Sequence, residues 1–189
     1  MTADSPWRSD ELLRKCGGII CIAGVLVFLT VVVSLHLLRK DYDPVHQMMS
    51  ELALGERGGL MLAAFLALGI AFAGMAAGLR GARQPAYTSL LAGCAGLTFV
   101  AAGVYRLDNA MEMHVALIAA AFVLAGLLMY LLPASLPEYA RPVSWSLAAA
   151  TALAVVSGHL FAPMGIAQRV AAACILIWLL WTARRLIKS

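Results

Sequence analysis

The sequence predicts an all-α integral membrane protein, a bundle of six transmembrane helices with one short amphipathic surface helix. Hydrophobic residues make up 62% of its 189 residues and charged residues only 13%, whereas soluble domains are nearer half apolar and a quarter charged. The mean hydropathy is +0.87, and the apolar residues fall in runs of about the 20 residues that cross a bilayer. We therefore expect a single transmembrane domain over residues 1–189.

Six apolar runs are long enough to cross the membrane, and short polar stretches separate them. The predicted spans are about 17–38, 59–79, 86–105, 114–132, 143–161 and 166–187. Because lipid offers the backbone no hydrogen-bond partners, each run is expected to be helical, and the short connections predict an up-and-down bundle. The first run is too long for a signal peptide and lacks a small-x-small cleavage site, so we expect it to be an anchor.

The polar passage between the first two spans is predicted to contain the surface helix, over residues 43–54. Asp43 followed by Pro44 is typical of a helix start. In an α-helix each residue is rotated by about 100° from the one before, so the side chains of this segment divide between two faces of the helix. Val45, Met48, Met49 and Leu52 form the apolar face, and Asp43, His46, Gln47, Ser50 and Glu51 form the polar face. Such a helix is expected to lie flat on the membrane and to present its polar face to a neighbouring site.

The basic residues predict the orientation in the membrane. Nine of the fourteen Lys and Arg residues are cytoplasmic if both termini are, and five are outside, a bias that favours cytoplasmic termini. The nine are Arg8, Arg14, Lys15, Arg80, Arg83, Arg141, Arg184, Arg185 and Lys188. The basic residues lie at the ends of apolar runs and form no cluster on a soluble face, so no nucleic-acid partner is expected.

This orientation places many ionisable residues at the outer side. They include all four histidines and six of the ten acidic residues: His36, His46, His114, His159, Asp41, Asp43, Glu51, Glu56, Asp108 and Glu112. Ionisable groups at membrane depth are costly, so the clustering predicts a polar pocket that opens outward. The candidate catalytic residues are Ser50, Glu51, Asp108 and His114, and the candidate substrate-binding residues are Asp43, Gln168 and Arg169.

Three interpretations of this pocket remain open. In the first, His46, His114 and His159 hold a metal such as Zn²⁺, whose bound water hydrolyses a lipid ester, amide or phosphoester. A Ser50 nucleophile with His46 one turn earlier is a separate possibility for catalysis without a metal. In the second, the pocket binds or transports a membrane lipid, a small amphiphile or a small solute without chemistry, and Arg169 holds an anionic group at a helix start. In the third, these residues satisfy loop backbones and helix ends, and the protein is a structural membrane scaffold.

Two other residue types have simpler predicted roles. The four cysteines lie within or beside apolar runs without Cys-x-x-Cys spacing, so we expect small buried hydrophobic side chains and neither disulfides nor a thiolate metal site. Gly74 and Gly78 have the spacing that lets helix backbones approach closely, either within the chain or in a homo-oligomer.

Short motifs along nearly the whole chain carry a resemblance. They are Asp43-Pro44 with Ser50-Glu51-Leu52-Ala53-Leu54-Gly55, then Gly103 with Asp108 and His114, and then Gly165-Ile166-Ala167-Gln168-Arg169 with Trp178 and Arg184-Arg185-Leu186. In these motifs the chain resembles the bacterial and archaeal domain-of-unknown-function 998 family. The resemblance implies a six-helix membrane protein of undefined activity, in bacteria a protein of the inner membrane.

The chain departs from this family pattern at two places. Tyr105-Arg106-Leu107 stands where the family has phenylalanine-proline, and Gln168 stands where an acidic residue is common. The combination of serine, aspartate and histidine is also similar to that of the ceramidase and progestin-receptor-like membrane hydrolases, which are zinc-dependent. This second similarity concerns only the types of residue present, because the chain lacks the ordered motifs of those hydrolases.

Overall fold

Six long helices account for most of the chain in the computed structural model, which describes residues 6–132 and 140–188. The helices are α1 (Pro6–Leu38), α2 (Gly59–Gly81), α3 (Ala86–Val104), α4 (Met111–Leu131), α5 (Arg141–Leu160) and α6 (Met164–Lys188). All six are long and apolar enough to cross a membrane. The predicted fold class is confirmed, and the architecture indicates an integral membrane protein.

The helices form a closed ring around a shared apolar core. Each helix packs against the next along the chain, and α6 closes the ring against α1 and also contacts α2 and α4. Small residues let α1 and α2 approach closely, because a Cβ atom at Gly74 would lie 2.7 Å from the Cys21 backbone nitrogen. A Cβ atom at Gly78 would lie 2.7 Å from the Leu186 side chain. Both glycines thus serve packing within the chain, while homo-oligomerisation stays a prediction.

The two ends of the bundle differ in character. We call the end that carries the 39–58, 105–110 and 161–163 connections the histidine end, because His36, His46, His114 and His159 lie there. At the opposite end, Arg83 forms an ion pair with Asp10 at 2.8 Å, and the Arg14 guanidinium donates to the Leu186 carbonyl. The side of the membrane that each end faces stays a prediction.

The segment predicted as one surface α-helix over residues 43–54 folds differently. Asp43 begins a turn, in which its Oδ1 accepts a hydrogen bond from the Val45 N–H at 2.8 Å. A 3-10 helix then runs over Met49–Leu54. The predicted helix is therefore corrected to a turn followed by a short 3-10 helix.

The different helical period changes which side chains are buried. A 3-10 helix has three residues per turn, so positions i and i+3 eclipse each other. Its buried positions are two such pairs, Met49 with Leu52 and Ser50 with Ala53. Ser50 is only 2% exposed, whereas Val45 is exposed. Ser50 is thus buried together with the apolar residues of this segment and does not lie on a polar face opposite to them, as the α-helical period predicted.

Candidate functional site

Two neighbouring cavities of about 80 and 40 Å³ lie against the 3-10 helix. Ser50, Ile118, Phe122 and Gln168 border both of them, and we call the two together the Ser50 cavity. A cavity of about 10–15 Å³ can hold one water molecule. The Ser50 cavity therefore has room for several waters or for part of an amphiphile.

The larger cavity lies between α4, α5 and α6 at the histidine end. His114 and Ala119 line it from α4, His159 from α5 and Gln168 from α6. Of the lining residues, Val115, Ala119 and His159 are exposed. The cavity thus borders the bundle surface at the seam between α4 and α5, which is the surface that lipid would cover.

The smaller cavity is a more apolar chamber toward the middle of the bundle. Beyond Ser50 and Gln168, its lining is apolar and comes from the 3-10 helix and five of the long helices: Phe28, Met49, Met61, Phe65, Leu68, Phe99, Ile118, Phe122, Ala172, Ile175 and Leu176. The Ser50 cavity therefore runs from a polar region at the histidine end to an apolar interior.

The His114 side chain presents an unpartnered acceptor. Its Nδ1 lies 2.7 Å from the Ala102 carbonyl oxygen and 2.9 Å from that of Tyr105. Because both neighbours of Nδ1 are acceptors, the hydrogen-bond network assigns a proton to Nδ1, so in the neutral imidazole the lone pair is on Nε2. Nε2 is buried without a hydrogen-bond partner among the described residues, and the whole residue is 2% exposed.

Ser50 and Gln168 add two more hydrogen-bonding groups. The Ser50 Oγ is buried and has no partner in the described part of the chain. The Gln168 Oε1 accepts a hydrogen bond from the Met49 N–H at 2.6 Å, which leaves the Gln168 amide N–H groups as donors. A buried polar atom without a partner costs about 1–3 kcal/mol. Two such atoms, the Ser50 Oγ and the His114 Nε2, belong to residues that line the same cavity. A ligand or ordered water in this cavity would offset their cost.

The predicted carboxylates do not lie in this cavity. Asp108 forms an ion pair with Arg106 at 3.0 Å and is partly exposed. The Glu51 carboxylate accepts hydrogen bonds from the Met48 N–H at 2.7 Å and from the Gln47 amide at 3.1 Å. Glu51 therefore caps the start of the 3-10 helix. Both candidate catalytic carboxylates are thus bound to groups that lie within four residues of them in the chain.

Asp43, a candidate for substrate binding, stabilises the turn that it begins. Its Oδ2 lies 2.7 Å from the His46 Nδ1. This hydrogen bond, followed by the one from the Val45 N–H, lowers the pKa of Asp43 from its usual value. Both side chains of the pair are largely exposed, and neither lines the cavity.

Arg169 links α1, the turn and α6, and it does not line the cavity. Its Nη1 donates to the Gln47 carbonyl at 3.1 Å and to the Gly165 carbonyl at 2.8 Å. Its Nη2 donates to the His36 Nε2 at 3.0 Å and to the Tyr42 hydroxyl. Burial raises the pKa of Tyr42, and the hydrogen bond from Arg169 opposes that rise. The guanidinium is thus engaged by two backbone carbonyls, an imidazole and a hydroxyl.

The three predicted metal ligands are not brought together. His114 and His159 line the same cavity, but His46 pairs with Asp43 in the exposed turn. Among residues 6–132 and 140–188, no group of three or more His, Cys, Asp or Glu side chains could hold a metal ion. The described residues therefore do not fit the three-histidine Zn²⁺ site that the sequence suggested.

Sequence reasoning missed the aromatic lining of the smaller cavity. Phe28, Phe65, Phe99 and Phe122 come from four different helices. Each span is apolar on all sides, so no amphipathic period distinguishes a cavity-facing phenylalanine from a lipid-facing one. Tertiary packing alone identifies these residues.

Comparison with known protein families gives a match over most of the chain. The model of a family described as "Protein of unknown function (DUF998)" matches residues 22–185, which is most of the chain. No curated protein and no solved structure matches it significantly.

Proposed function

The chain belongs to the DUF998 family, and from this premise we propose that it binds a membrane amphiphile in the Ser50 cavity. The polar head lies beside Ser50 and His114, and the apolar chain extends toward Phe65 and Phe122. The observation that carries the proposal is the pair of buried atoms without a partner in the described chain, the Ser50 Oγ and the His114 Nε2, whose residues line one largely apolar cavity.

The energetics favour an occupant with both polar and apolar parts. Leaving the Ser50 Oγ and the His114 Nε2 unpaired costs about 1–3 kcal/mol each, and a bound head group recovers that cost. Ligand sites are usually apolar clefts with a few polar groups that orient the ligand, which is the composition of this cavity. The exposed Val115, Ala119 and His159 mark the α4–α5 seam as the route of entry from lipid.

A pair of bulky substitutions on α4 tests the proposal. Ala119→Trp fills the larger cavity, because Ala119 lines it. Ala116→Trp is the matched control, since Ala116 is equally an exposed alanine of α4 but does not line the cavity. The probe is a monoacylglycerol with a twelve-carbon chain, added to protein in lipid nanodiscs, and native mass spectrometry counts the bound molecules.

The expected result is one specifically bound probe for the wild type and for Ala116→Trp. Ala119→Trp is expected to weaken binding by at least about tenfold, which is roughly 1.4 kcal/mol. Equal binding by the two variants would place the amphiphile elsewhere and overturn the proposal.

The tautomer of His114 favours ester hydrolysis at Ser50 as a second candidate function. In this reaction the His114 Nε2 takes the Ser50 hydroxyl proton while Oγ bonds to the ester carbonyl carbon, and His114 then protonates the departing alcohol. Water, deprotonated by the same nitrogen, next releases the acid and restores the Ser50 hydroxyl. Ser50 and His114 do not hydrogen-bond to each other, so the pair has to close on substrate, as unliganded catalytic groups often do.

A fluorophosphonate probe separates this candidate from binding alone. Hydrolysis predicts covalent labelling of Ser50 that is lost in Ser50→Ala and greatly slowed in His114→Gln. An unlabelled wild-type protein that still binds the monoacylglycerol leaves binding as the function.

A further inference from the structure

We propose that the amphiphile has one chain and an uncharged, hydroxyl-bearing head group, as in a long-chain alcohol or a monoacylglycerol. This inference rests on the proposed binding function and adds the chemical class of the ligand. It follows from the charge, the hydrogen-bonding pattern and the size of the Ser50 cavity.

The cavity offers no partner of fixed charge. No Asp, Glu, Lys or Arg side chain from the described residues lines either part of it. Arg169 follows the lining residue Gln168 in the chain, but its guanidinium is bound to Gln47, Gly165, His36 and Tyr42. A charged head group would therefore lose its hydration without gaining an ionic partner, which is costly.

The hydrogen-bonding groups fit a ligand that both donates and accepts. The His114 Nε2 is an acceptor, the Gln168 amide nitrogen is a donor, and the Ser50 hydroxyl can act as either. A ligand hydroxyl can donate its proton to His114 and accept a hydrogen bond from Ser50 or Gln168. We therefore expect one such group to partner the Ser50 Oγ and the His114 Nε2, which have no partner in the described chain.

Charged head groups fit this pattern less well. A carboxylate or phosphate has only acceptors and would face the His114 lone pair. A quaternary ammonium has neither donor nor acceptor for Ser50 and His114.

The shape of the cavity favours one hydrocarbon chain. The apolar chamber beyond Ser50 is about 40 Å³ in volume. It shares the lining residues Ser50, Ile118, Phe122 and Gln168 with the larger cavity, so one chain is enough to fill it from the polar region. A phospholipid with two chains would have to leave one of them outside the α4–α5 seam.

The inference is tested with three probes that share a twelve-carbon chain: 1-dodecanol, dodecanoate at pH 8 and dodecyltrimethylammonium. Dissociation constants are measured with protein in lipid nanodiscs for the wild type, Ser50→Ala, His114→Gln and Ala119→Trp. Ser157→Ala is the control for loss of a hydroxyl, because the Ser157 Oγ donates to the Ala154 carbonyl at 2.9 Å and does not line the cavity.

We expect 1-dodecanol to bind most tightly, by at least about tenfold over either charged probe. Ser50→Ala and His114→Gln are each expected to weaken its binding by about 2- to 12-fold, the equivalent of one neutral hydrogen bond. Ser157→Ala is expected to leave the affinity unchanged, and Ala119→Trp to remove most of it.

The outcomes distinguish the inference from the function on which it rests. Suppose that Ala119→Trp still blocks binding, but the three probes bind equally or a charged one binds more tightly. The proposed class of head group is then wrong, and amphiphile binding remains as the function. If no probe binds, or if Ala119→Trp has no effect, both proposals are wrong and the cavity holds water alone.

Discussion

Replacing Ser50 with alanine should separate ligand binding from stability. The Ser50 Oγ is buried without a partner in the described chain, so in the unliganded protein it carries a penalty of about 1–3 kcal/mol. Ser50→Ala removes that penalty and one oxygen atom. We expect the free energy of unfolding to stay equal or to rise by up to about 1–3 kcal/mol, while amphiphile affinity falls by about 2- to 12-fold.

A second buried serine supplies the control. The Ser144 Oγ is fully buried, donates to the Met129 carbonyl at 2.7 Å and accepts from the Trp178 Nε1 at 2.7 Å. Ser144→Ala leaves the Trp178 N–H without an acceptor and should lower the free energy of unfolding by about 1–3 kcal/mol. Thermal unfolding of both variants is followed by circular dichroism in one detergent. Equal destabilisation would refute the reasoning, because Ser50 would then have a partner within the chain.

Three further predictions concern the elements that support the site. Arg169→Lys should lower the free energy of unfolding by about 1.5–3 kcal/mol, because an ammonium cannot reproduce all the hydrogen bonds of a planar guanidinium. A loss below about 0.5 kcal/mol in thermal unfolding would contradict this. The hydrogen bond with His46 puts the pKa of Asp43 below that of an unfolded Asp. The stabilisation from Asp43 is therefore complete above about pH 4 and is lost as the pH falls through the pKa of Asp43 in the folded protein. A carbon-13 NMR titration of Asp43 with a midpoint at or above about 3.9 would contradict this lowered pKa. Gly74→Ala should lower the melting temperature, because its Cβ atom would lie 2.7 Å from the backbone nitrogen of Cys21. Gly126→Ala should stabilise the protein by roughly 0.5–1 kcal/mol, because no atom lies within 4 Å of its added Cβ. Melting-temperature shifts of the same sign in the two variants would disprove the packing argument.

The membrane spans could be predicted because an apolar run of sufficient length has few alternatives. The third span was predicted over residues 86–105, and α3 runs over Ala86–Val104. The fourth was predicted to begin at residue 114, and α4 begins at Met111. Capping and loop geometry move such ends by a few residues, but the requirement to satisfy the backbone in lipid determines that the helices exist.

The surface segment could not be predicted in the same way, because contacts distant in sequence determine its conformation. The Met49 N–H donates to the Gln168 side chain, and the Ile166 N–H donates to the Val45 carbonyl at 3.1 Å. These contacts dock the segment on α6 and favour a 3-10 helix. Ser50 stays a predicted site residue, and the histidines that line its cavity are His114 and His159 rather than the neighbouring His46.

The carboxylates illustrate a second limit of the sequence. Glu51 caps the helix that contains it, Asp43 stabilises its own turn, and Asp108 pairs with Arg106 two residues earlier. A sequence can place such residues at one end of a bundle. It does not tell whether partners nearby in the chain engage them, and here those partners do.

The nitrogen-15 resonance of the His114 Nε2 tests most directly whether the Ser50 cavity holds a polar head group. We predict that 1-dodecanol shifts this resonance in the wild type as its hydroxyl donates to the nitrogen, and that the shift is absent in Ala119→Trp. A His114 resonance that stays unchanged while 1-dodecanol binds would contradict the proposal, because the ligand would then lie outside the cavity.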